Sequence, residues 1–259
     1  MCTALFAYHA HPNYPLIILS NRDEFYHRPT KPANFWQDNP KILSGIDLEK
    51  GGTWFGVNQN GRVALLTNYR DFTKHIDAPL SRGLITKRFL SSSDEAHSFL
   101  ASLQLKSNAY NPYNLVVGDI NKLYYYSNML NEYTPLAQGV HGLSNGLIND
   151  SWPKVNTACH AFKTILARDE LDEAACFELL SAPTKYPLEL LPDTGIDKQL
   201  EIDLSSIFID LEQYGTRMQT IYYVDQLNNA TFIEKSRDAD GRWHEKRFAF
   251  KLYPQPVLP

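Results

Sequence analysis

At 259 residues, 43% of them hydrophobic and 12% aromatic, the chain has enough apolar material for a sizeable core, held in one domain or shared between two. Lys and Arg number 25 against 29 Asp and Glu, a net charge of −4 that offers no polyanion-binding surface and argues against nucleic acid as a partner. No apolar run approaches the ~18–20 residues of a membrane span, no basic stretch and long apolar segment mark a signal peptide, and Cys2, Cys159 and Cys176 form no Cys-x-x-Cys pair, which fits a reducing cytoplasm.

Residues 3–8 and 16–20 are apolar runs separated by His9-Ala10-His11-Pro12-Asn13-Tyr14-Pro15, the pattern of two strands joined as a hairpin. The start of one hairpin strand lies opposite the end of the next, so Asn21, Arg22, Asp23 and Glu24 are expected beside Cys2. Gly51-Gly52-Thr53 lacks the spacing of a phosphate-binding loop and reads as a tight turn. The chain then runs through Gln59-Asn60-Gly61, a hairpin turn whose Asn and Gly tolerate positive φ, into residues 62–68. Beyond residue 80 the apolar period changes from two to about 3.6. Residues 81–91 carry Leu84, Ile85, Phe89 and Leu90 on one side, and Ser93-Asp94-Glu95 opens a second helix to about residue 105.

Strands follow at 114–120 and 123–127, turning at 119–122, and a further run at 139–144 ends at Asn145. Residues 153–167 form an amphipathic helix, with Pro153 in its first turn and Val155, Ala158, Phe162 and Ile165 on one face. Residues 171–180 continue the helical character. Pro183, Pro187, Pro192, Asp193 and Gly195 punctuate 181–213, an irregular excursion that is either a surface insertion or a loop over a ligand site. Strands at 216–224, 230–234 and 243–252 close the chain. This order predicts sheets packed together with helices outside, in a single domain; a split near 128–138 has no compositional support.

Cys2 is the residue with the most chemistry to offer. A methionine before a small residue is ordinarily trimmed, which leaves Cys2 with a free α-amine titrating at about 7.7–8.0 beside a thiol near 8.5. Such an amine serves as base and then as acid for its own thiol. The same cysteine would also suit a buried first strand. Other candidates stay equally open: Arg22 and Asp23 as catalytic groups or an ion pair, Asn68 and Asn145 as catalytic amides or turn residues. Glu24, Tyr26 and Arg28 face substrate or anchor their segment, and His9-x-His11 binds a metal or forms a wet hairpin. Cys159 and Cys176, on helical segments, are expected to be core or half-buried thiols.

Met1-Cys2-Thr3, Asn21-Arg22-Asp23-Glu24-Phe25-Tyr26 with Arg28-Pro29, Gly51-Gly52-Thr53-Trp54-Phe55-Gly56 and Leu66-Thr67-Asn68-Tyr69 resemble the NRDE-motif family, that of the transport and Golgi organization protein 2. The likeness extends through Gly142-Leu143-Ser144-Asn145 and Thr216-Arg217-Met218 and so covers essentially the whole chain. That family in turn resembles N-terminal nucleophile hydrolases of the choloylglycine hydrolase and penicillin acylase type. The resemblance implies an α+β chain folded as a four-layer α-β-β-α sandwich, one domain over residues 1–259. It implies Cys2 as nucleophile after Met1 removal, Asp23 holding amine and thiol, and Asn68 as an oxyanion donor. Asn145 would lie near the amine or the substrate carbonyl, and Arg217 would favour the thiolate.

Those hydrolases carry Arg-Asn-x-Asp where this chain has Ser20, Asn21, Arg22 and Asp23. Positions 20 and 22 share a strand face, so Arg22 is placed to replace the missing arginine. Asn21, Arg22 and Glu24 are then expected to face the substrate. The implied activity is hydrolysis of a linear amide in an N-acyl or peptide-like small molecule, in the cytoplasm, without metal or cofactor. A second implied reading is a binding or trafficking module for a hydrophobic ligand such as an acyl-lipid or haem, with Cys2, His9, His11 and His27 as candidate haem ligands. On the first reading Cys2, Asp23, Asn68, Asn145 and Arg217 converge on one pocket.

Overall fold

The computed structural model describes residues 2–71, 73 and 80–253. Strand β1 (Cys2–Tyr8) is buried along its whole length, as are the first eight residues of β2 (Leu16–Phe25), which explains why both read as continuous apolar runs rather than as alternation. They pair antiparallel within a six-stranded sheet ordered β10-β1-β2-β11-β12-β13. Its other members are β10 (Gly139–Leu143), β11 (Tyr214–Val224), β12 (Asn229–Arg237) and β13 (Trp243–Lys251).

A second sheet takes its seven strands in chain order: β3 (Thr30–Phe35), β4 (Ile42–Asp47), β5 (Phe55–Asn58), β6 (Val63–Asn68), β7 (Tyr113–Gly118), β8 (Leu123–Ser127) and β9 (Glu132–Pro135). Every pairing in both sheets is antiparallel.

The two-residue period of the strands sorts their side chains into three apolar clusters. Ala4, Phe6, Leu16 and Ile18 of the first sheet pack with Val57, Val63, Leu65 and Val116 of the second. The alternate residues Leu66, Leu115 and Val117 pack with Ile85 and Phe89 of α1 (Gly83–Ser91) and with Phe99 and Leu103 of α2 (Ala96–Gln104). Leu5, Ala7, Ile17 and Leu19 pack with Ala158 and Phe162 of α3 (Pro153–Ile165) and with Cys176 and Phe177 of α4 (Glu173–Leu180). Full burial of side chains such as Phe6 or Phe162 contributes roughly 1.5–3 kcal/mol each. The chain is thus a mixed α/β protein with two large antiparallel sheets and few helices.

Three strands and one helix carry no apolar period in the sequence. Strands β3 and β9 are the sheet edges, largely exposed, and β3 contains Pro32, which an edge strand tolerates because one side makes no ladder bonds. Strand β4 has a half-exposed end. Helix α5 (Lys198–Asp203) lies inside the punctuated excursion, capped by Asp197, which accepts from the backbone N–H groups of Gln199 and Leu200. Strand β2 also runs five residues past its apolar part, through Asn21, Arg22, Asp23, Glu24 and Phe25. The Gly51-Gly52 turn has a packing reason: a Cβ on Gly52 would stand 2.3 Å from the carbonyl carbon of Gly83, so only glycine lets this turn meet the start of α1.

Glu234 of β12 joins the two sheets. Its carboxyl is buried and accepts from the Ala33 backbone N–H of β3 at 2.6 Å, and burial pushes it up to about 7. The folded value lies above the unfolded one, so its contribution is fully present below about pH 4.3 and is lost as pH rises through 7. Glu234→Gln is expected to remove that slope, gaining on the wild type by on the order of 3 kcal/mol between acid and neutral pH in urea unfolding. Parallel pH profiles for the two proteins would contradict a buried carboxyl there.

Candidate active site

Residues Cys2 and Arg22 are cross-strand partners in β1 and β2. Alternation directs both side chains toward the space between the sheets, and directs Asn21 and Asp23 to the helix-covered face. Arg22 lies 4.1 Å over the Trp54 ring and donates to Asp47 Oδ2 at 3.3 Å and to Thr30 Oγ1 at 3.2 Å. Asp47 also accepts from Arg28 Nε at 2.7 Å, and Arg28 in turn pairs with Glu24 at 3.7 Å. The wall beside the thiol is therefore a lattice of arginines and carboxylates that fixes side chains by charge-assisted hydrogen bonds.

Asp23 is buried and accepts from Thr216 Oγ1 at 2.7 Å, while its carbonyl accepts from the Tyr214 hydroxyl at 3.0 Å. Burial pushes its carboxyl above the usual range, opposed by the Lys154 charge, the Thr216 hydrogen bond and the Arg70 charge. Burial likewise pushes the Cys2 thiol up, with the Arg22 guanidinium opposing.

Asn21 is a correction to the expectation that it faces substrate. Its amide donates to the carbonyls of Leu180 at 2.8 Å and Ile207 at 3.0 Å, which ties β2 to the end of α4 on the helix side. The strand period that aims Arg22 inward turns Asn21 away.

Asn68 ends β6, and Asn145 follows β10. The Asn145 amide donates to the Asn68 carbonyl at 2.8 Å, the Asn145 carbonyl accepts from Arg70 N at 2.8 Å, and Ser144 Oγ donates to the Cys2 carbonyl at 3.3 Å. Cys2, Arg22, Asp23, Glu24 and Asn68 line one cleft of about 120 Å³, together with Arg82 at the start of α1. Past Glu24, Asn68 and Arg82 lies a groove of about 400 Å³, lined by apolar side chains including Phe25, Ile196, Leu200, Leu204 and Leu211, with Asn145 in its wall. The 181–213 excursion therefore supplies one wall of a cavity.

Of the five residues expected to converge, Cys2, Asp23 and Asn68 share the cleft, and Asn145 stands one hydrogen bond behind Asn68. Arg217 lines neither cavity. Its guanidinium donates to the carbonyls of Phe25, at 3.2 Å, and Arg28, and so fastens the segment after β2. Among the causes that act on the Cys2 thiol, the guanidinium that lowers it is that of its cross-strand partner Arg22. A β-bulge between Thr216 and Met218 takes Arg217 out of regular register.

The candidate haem ligands do not gather either. His9 and His11 lie past the far end of the seven-residue β1 from Cys2, on the order of 20 Å away. Their ring nitrogens meet the carbonyls of Ile120 at 3.0 Å and Arg168 at 2.8 Å, so they lock the β1–β2 connection. His27 is exposed beside Phe25. Among the described residues no group of three or more His, Cys, Asp or Glu is arranged to hold a metal, and no helix is long and apolar enough to cross a membrane.

Sequence reading missed a buried ionic group behind the site. Arg70 Nη1 pairs with Glu201 Oε2 at 2.6 Å, and Arg70 Nη2 reaches Asn145 Oδ1 at 3.5 Å. Lys154, in the first turn of α3, is buried and donates to the carbonyls of Leu204 at 3.0 Å and Ser206 at 3.4 Å. A cation in the first turn opposes the helix dipole, and that was the available signal.

A family model described as Transport and Golgi organisation 2 matches residues 1–239. The Transport and Golgi organization protein 2 homologs of Bos taurus and Homo sapiens are each 33% identical, over 97% of this chain and 99% of theirs. The Drosophila melanogaster Transport and Golgi organization protein 2 is 28% identical over 95% of this chain and 96% of its own. Among solved structures, a Caenorhabditis elegans N-acylethanolamine-hydrolyzing acid amidase ortholog aligns with TM-score 0.48 and 13% identity, covering 85% of this chain and 92% of that one. A mutant conjugated bile acid hydrolase from Clostridium perfringens aligns with TM-score 0.45 and 12% identity over 100% and 99%. Likenesses of that size carry no argument about this chain.

Arg70→Met strands Glu201 as a buried unpaired charge and is expected to cost about 3–5 kcal/mol in denaturant unfolding, whereas Arg70→Met with Glu201→Leu recovers much of it. A single variant as stable as the wild type would contradict the buried pair.

Proposed function

We propose, for a chain that belongs to the Transport and Golgi organisation 2 family, a cysteine N-terminal nucleophile hydrolase that cleaves a linear C–N amide bond in an N-acyl or peptide-like small molecule. The proposal includes a single four-layer α-β-β-α domain over residues 1–259 and a cytoplasmic setting. One observation carries it. Cys2, Asp23 and Asn68, supplied by three different strands, line one cleft, and next to that cleft lies an apolar groove suited to an acyl group.

In this reaction removal of Met1 frees the α-amine of Cys2, which takes the thiol proton as Sγ attacks the amide carbon. Negative charge moves to the carbonyl oxygen, where the Asn68 side-chain amide is the donor within the cleft, an interaction worth ~3–4 kcal/mol of barrier. Collapse of the tetrahedral intermediate breaks the C–N bond, and the α-ammonium returns its proton to the departing amine. Water, deprotonated by the same α-amine, then attacks the thioester, releasing the acid and restoring the thiol. Asp23 holds the ammonium during each transfer. Asn145 positions Asn68 through the Asn68 carbonyl, and Arg22 and Glu24 form the polar wall toward substrate.

A second reading, a binding protein for a hydrophobic ligand without turnover, draws on the upward displacement of the Cys2 thiol by burial and on the same groove. It also accords with relatives named for transport and Golgi organisation.

Cys2→Ser separates the two. On the hydrolase reading it lowers release of amine from a panel of N-acyl amides below detection while circular dichroism is unchanged, and Asn68→Ala slows release by about 10²–10³-fold. Iodoacetamide also labels Cys2 before Cys159 and before Cys176, whose thiol burial pushes up to about 12. Equal labelling of all three thiols, with acyl-ligand binding unaffected by Cys2→Ser, would select the second reading.

A further inference from the structure

Arg82 stands at the doorway between the two cavities. Together with Glu24 and Asn68 it lines both the cleft that holds Cys2 and the apolar groove beyond it. The residue is half-buried. A guanidinium keeps its charge and carries five N–H donors in a planar fork, so taking one out of water is costly unless acceptors surround it. One acceptor is in place: Nη1 donates to the Pro112 carbonyl at 2.8 Å, which fixes the side chain against the groove wall.

The carboxylates of the cleft are engaged elsewhere. Asp47 takes Arg28 at 2.7 Å and Arg22 at 3.3 Å. Glu24 pairs with Arg28 at 3.7 Å and with Arg22 at 3.8 Å, and accepts from the Phe25 backbone N–H at 3.0 Å. Asp23 accepts from Thr216. The first turn of α1, which Arg82 precedes, carries no acidic residue. Of the arginines lining the cleft, Arg22 and Arg28 therefore have acidic partners, whereas among the described residues Arg82 has none within ion-pair distance. Burial works against its charge, with the Cys2 and Glu24 charges opposing from a distance and that of Arg28 adding to the burden.

A fixed guanidinium with donors unspent and no protein carboxylate is complementary to an anion carried by the ligand. The size of the cavities narrows the choice. At about 30 Å³ for each water-sized atom, the cleft of about 120 Å³ takes about four atoms and the groove of about 400 Å³ about thirteen. With an amide carbonyl held at Cys2 and Asn68, the atoms that fit on the nitrogen side are an α-carbon and a carboxylate. Those that fit on the other side are an acyl chain of medium length.

We propose that Arg82 is the specificity-determining residue of this site: it binds the carboxylate of a small amino acid, so that the substrate is an N-acyl amino acid with its acyl chain in the groove and its acidic part in the cleft. The assignment deepens the hydrolase reading and rests on it for cleavage of the bond, but not for binding. In that cleavage water supplies a hydroxyl to the carbonyl carbon, giving a fatty acid, and a proton to the nitrogen, giving the free amino acid. Arg82 takes no part in the proton transfers.

The test compares N-dodecanoylglycine, its neutral counterpart N-dodecanoylglycinamide and N-dodecanoylethanolamine phosphate. Binding is measured by calorimetry on Cys2→Ser protein, and amine release on the wild type. N-dodecanoylglycine should bind about 10–100-fold more tightly than the neutral amide, the worth of hydrogen bonds to a charged group. Arg82→Gln in the same background should remove that preference and leave the affinity for the neutral amide unchanged. Arg82→Lys, which keeps the charge and loses the fork, should reduce the preference and serves if the Gln variant does not fold. Equal affinity for acid and neutral amide, or a preference that either folded variant leaves intact, overturns the proposal. Tighter binding of the phosphate than of the glycine conjugate overturns the assignment to a carboxylate. An Arg82-dependent preference without glycine release by the wild type sustains the anion site and rejects the hydrolase reading. Equal release from all three amides does the reverse.

Discussion

The register of β1 against β2, with Cys2 opposite Arg22, is the constraint on which the site depends. A strand has a period of two, so a slip of one residue would aim Asn21 and Asp23 between the sheets and bury Arg22 under the helices. The connection between the strands protects against that slip. His9 adopts a positive φ of 47°, its N–H donates to the Pro15 carbonyl at 2.8 Å, and the His9 and His11 rings reach carbonyls in two distant loops. The histidines that suggested a metal site thus hold the hairpin that delivers Cys2.

Around that hairpin the protein concentrates charge in low-dielectric surroundings. Arg22, Arg28, Glu24 and Asp47 form a half-buried lattice on one side of the thiol, while Lys154, Arg70 and Glu201 stand behind Asp23 and Asn145. Buried ionic groups of this kind give modest net stability and are costly to break singly. Their physical effect is orientation: each guanidinium or ammonium fixes a carboxylate, carbonyl or amide that lines or backs the cleft. The same burial raises the Cys2 thiol, and on the proposed hydrolase reading its activation falls to a base in direct reach, the residue's own α-amine.

The central strands and the main helices were legible in the sequence because burial on one or both faces writes a period of 2, a period of 3.6 or an unbroken apolar run. Strands β3 and β9 were not, because edge strands are solvated and lack such a pattern. At the site, hairpin connectivity sufficed to place the Asn21–Glu24 tetrad beside Cys2, but which members face the cleft required the actual strand length. The place of Arg217 rested on the resemblance alone, and the bulge between Thr216 and Met218 means that strand alternation offers no guide to its direction. Lys154 and the Arg70–Glu201 pair were invisible as a group, since their partners are distant in sequence and meet only when α3, α5 and the segment after β6 close over Asp23.

The account turns on whether the residue at position 2 becomes the amino terminus. Intact-mass analysis of the protein purified from its own cells, with sequencing of the first residues, tests this directly. The account predicts a chain lighter by one methionine, beginning at Cys2 and carrying a free α-amine. A mature protein that retains Met1, or whose Cys2 amine is blocked, would contradict it, because the base that must take the thiol proton would not exist.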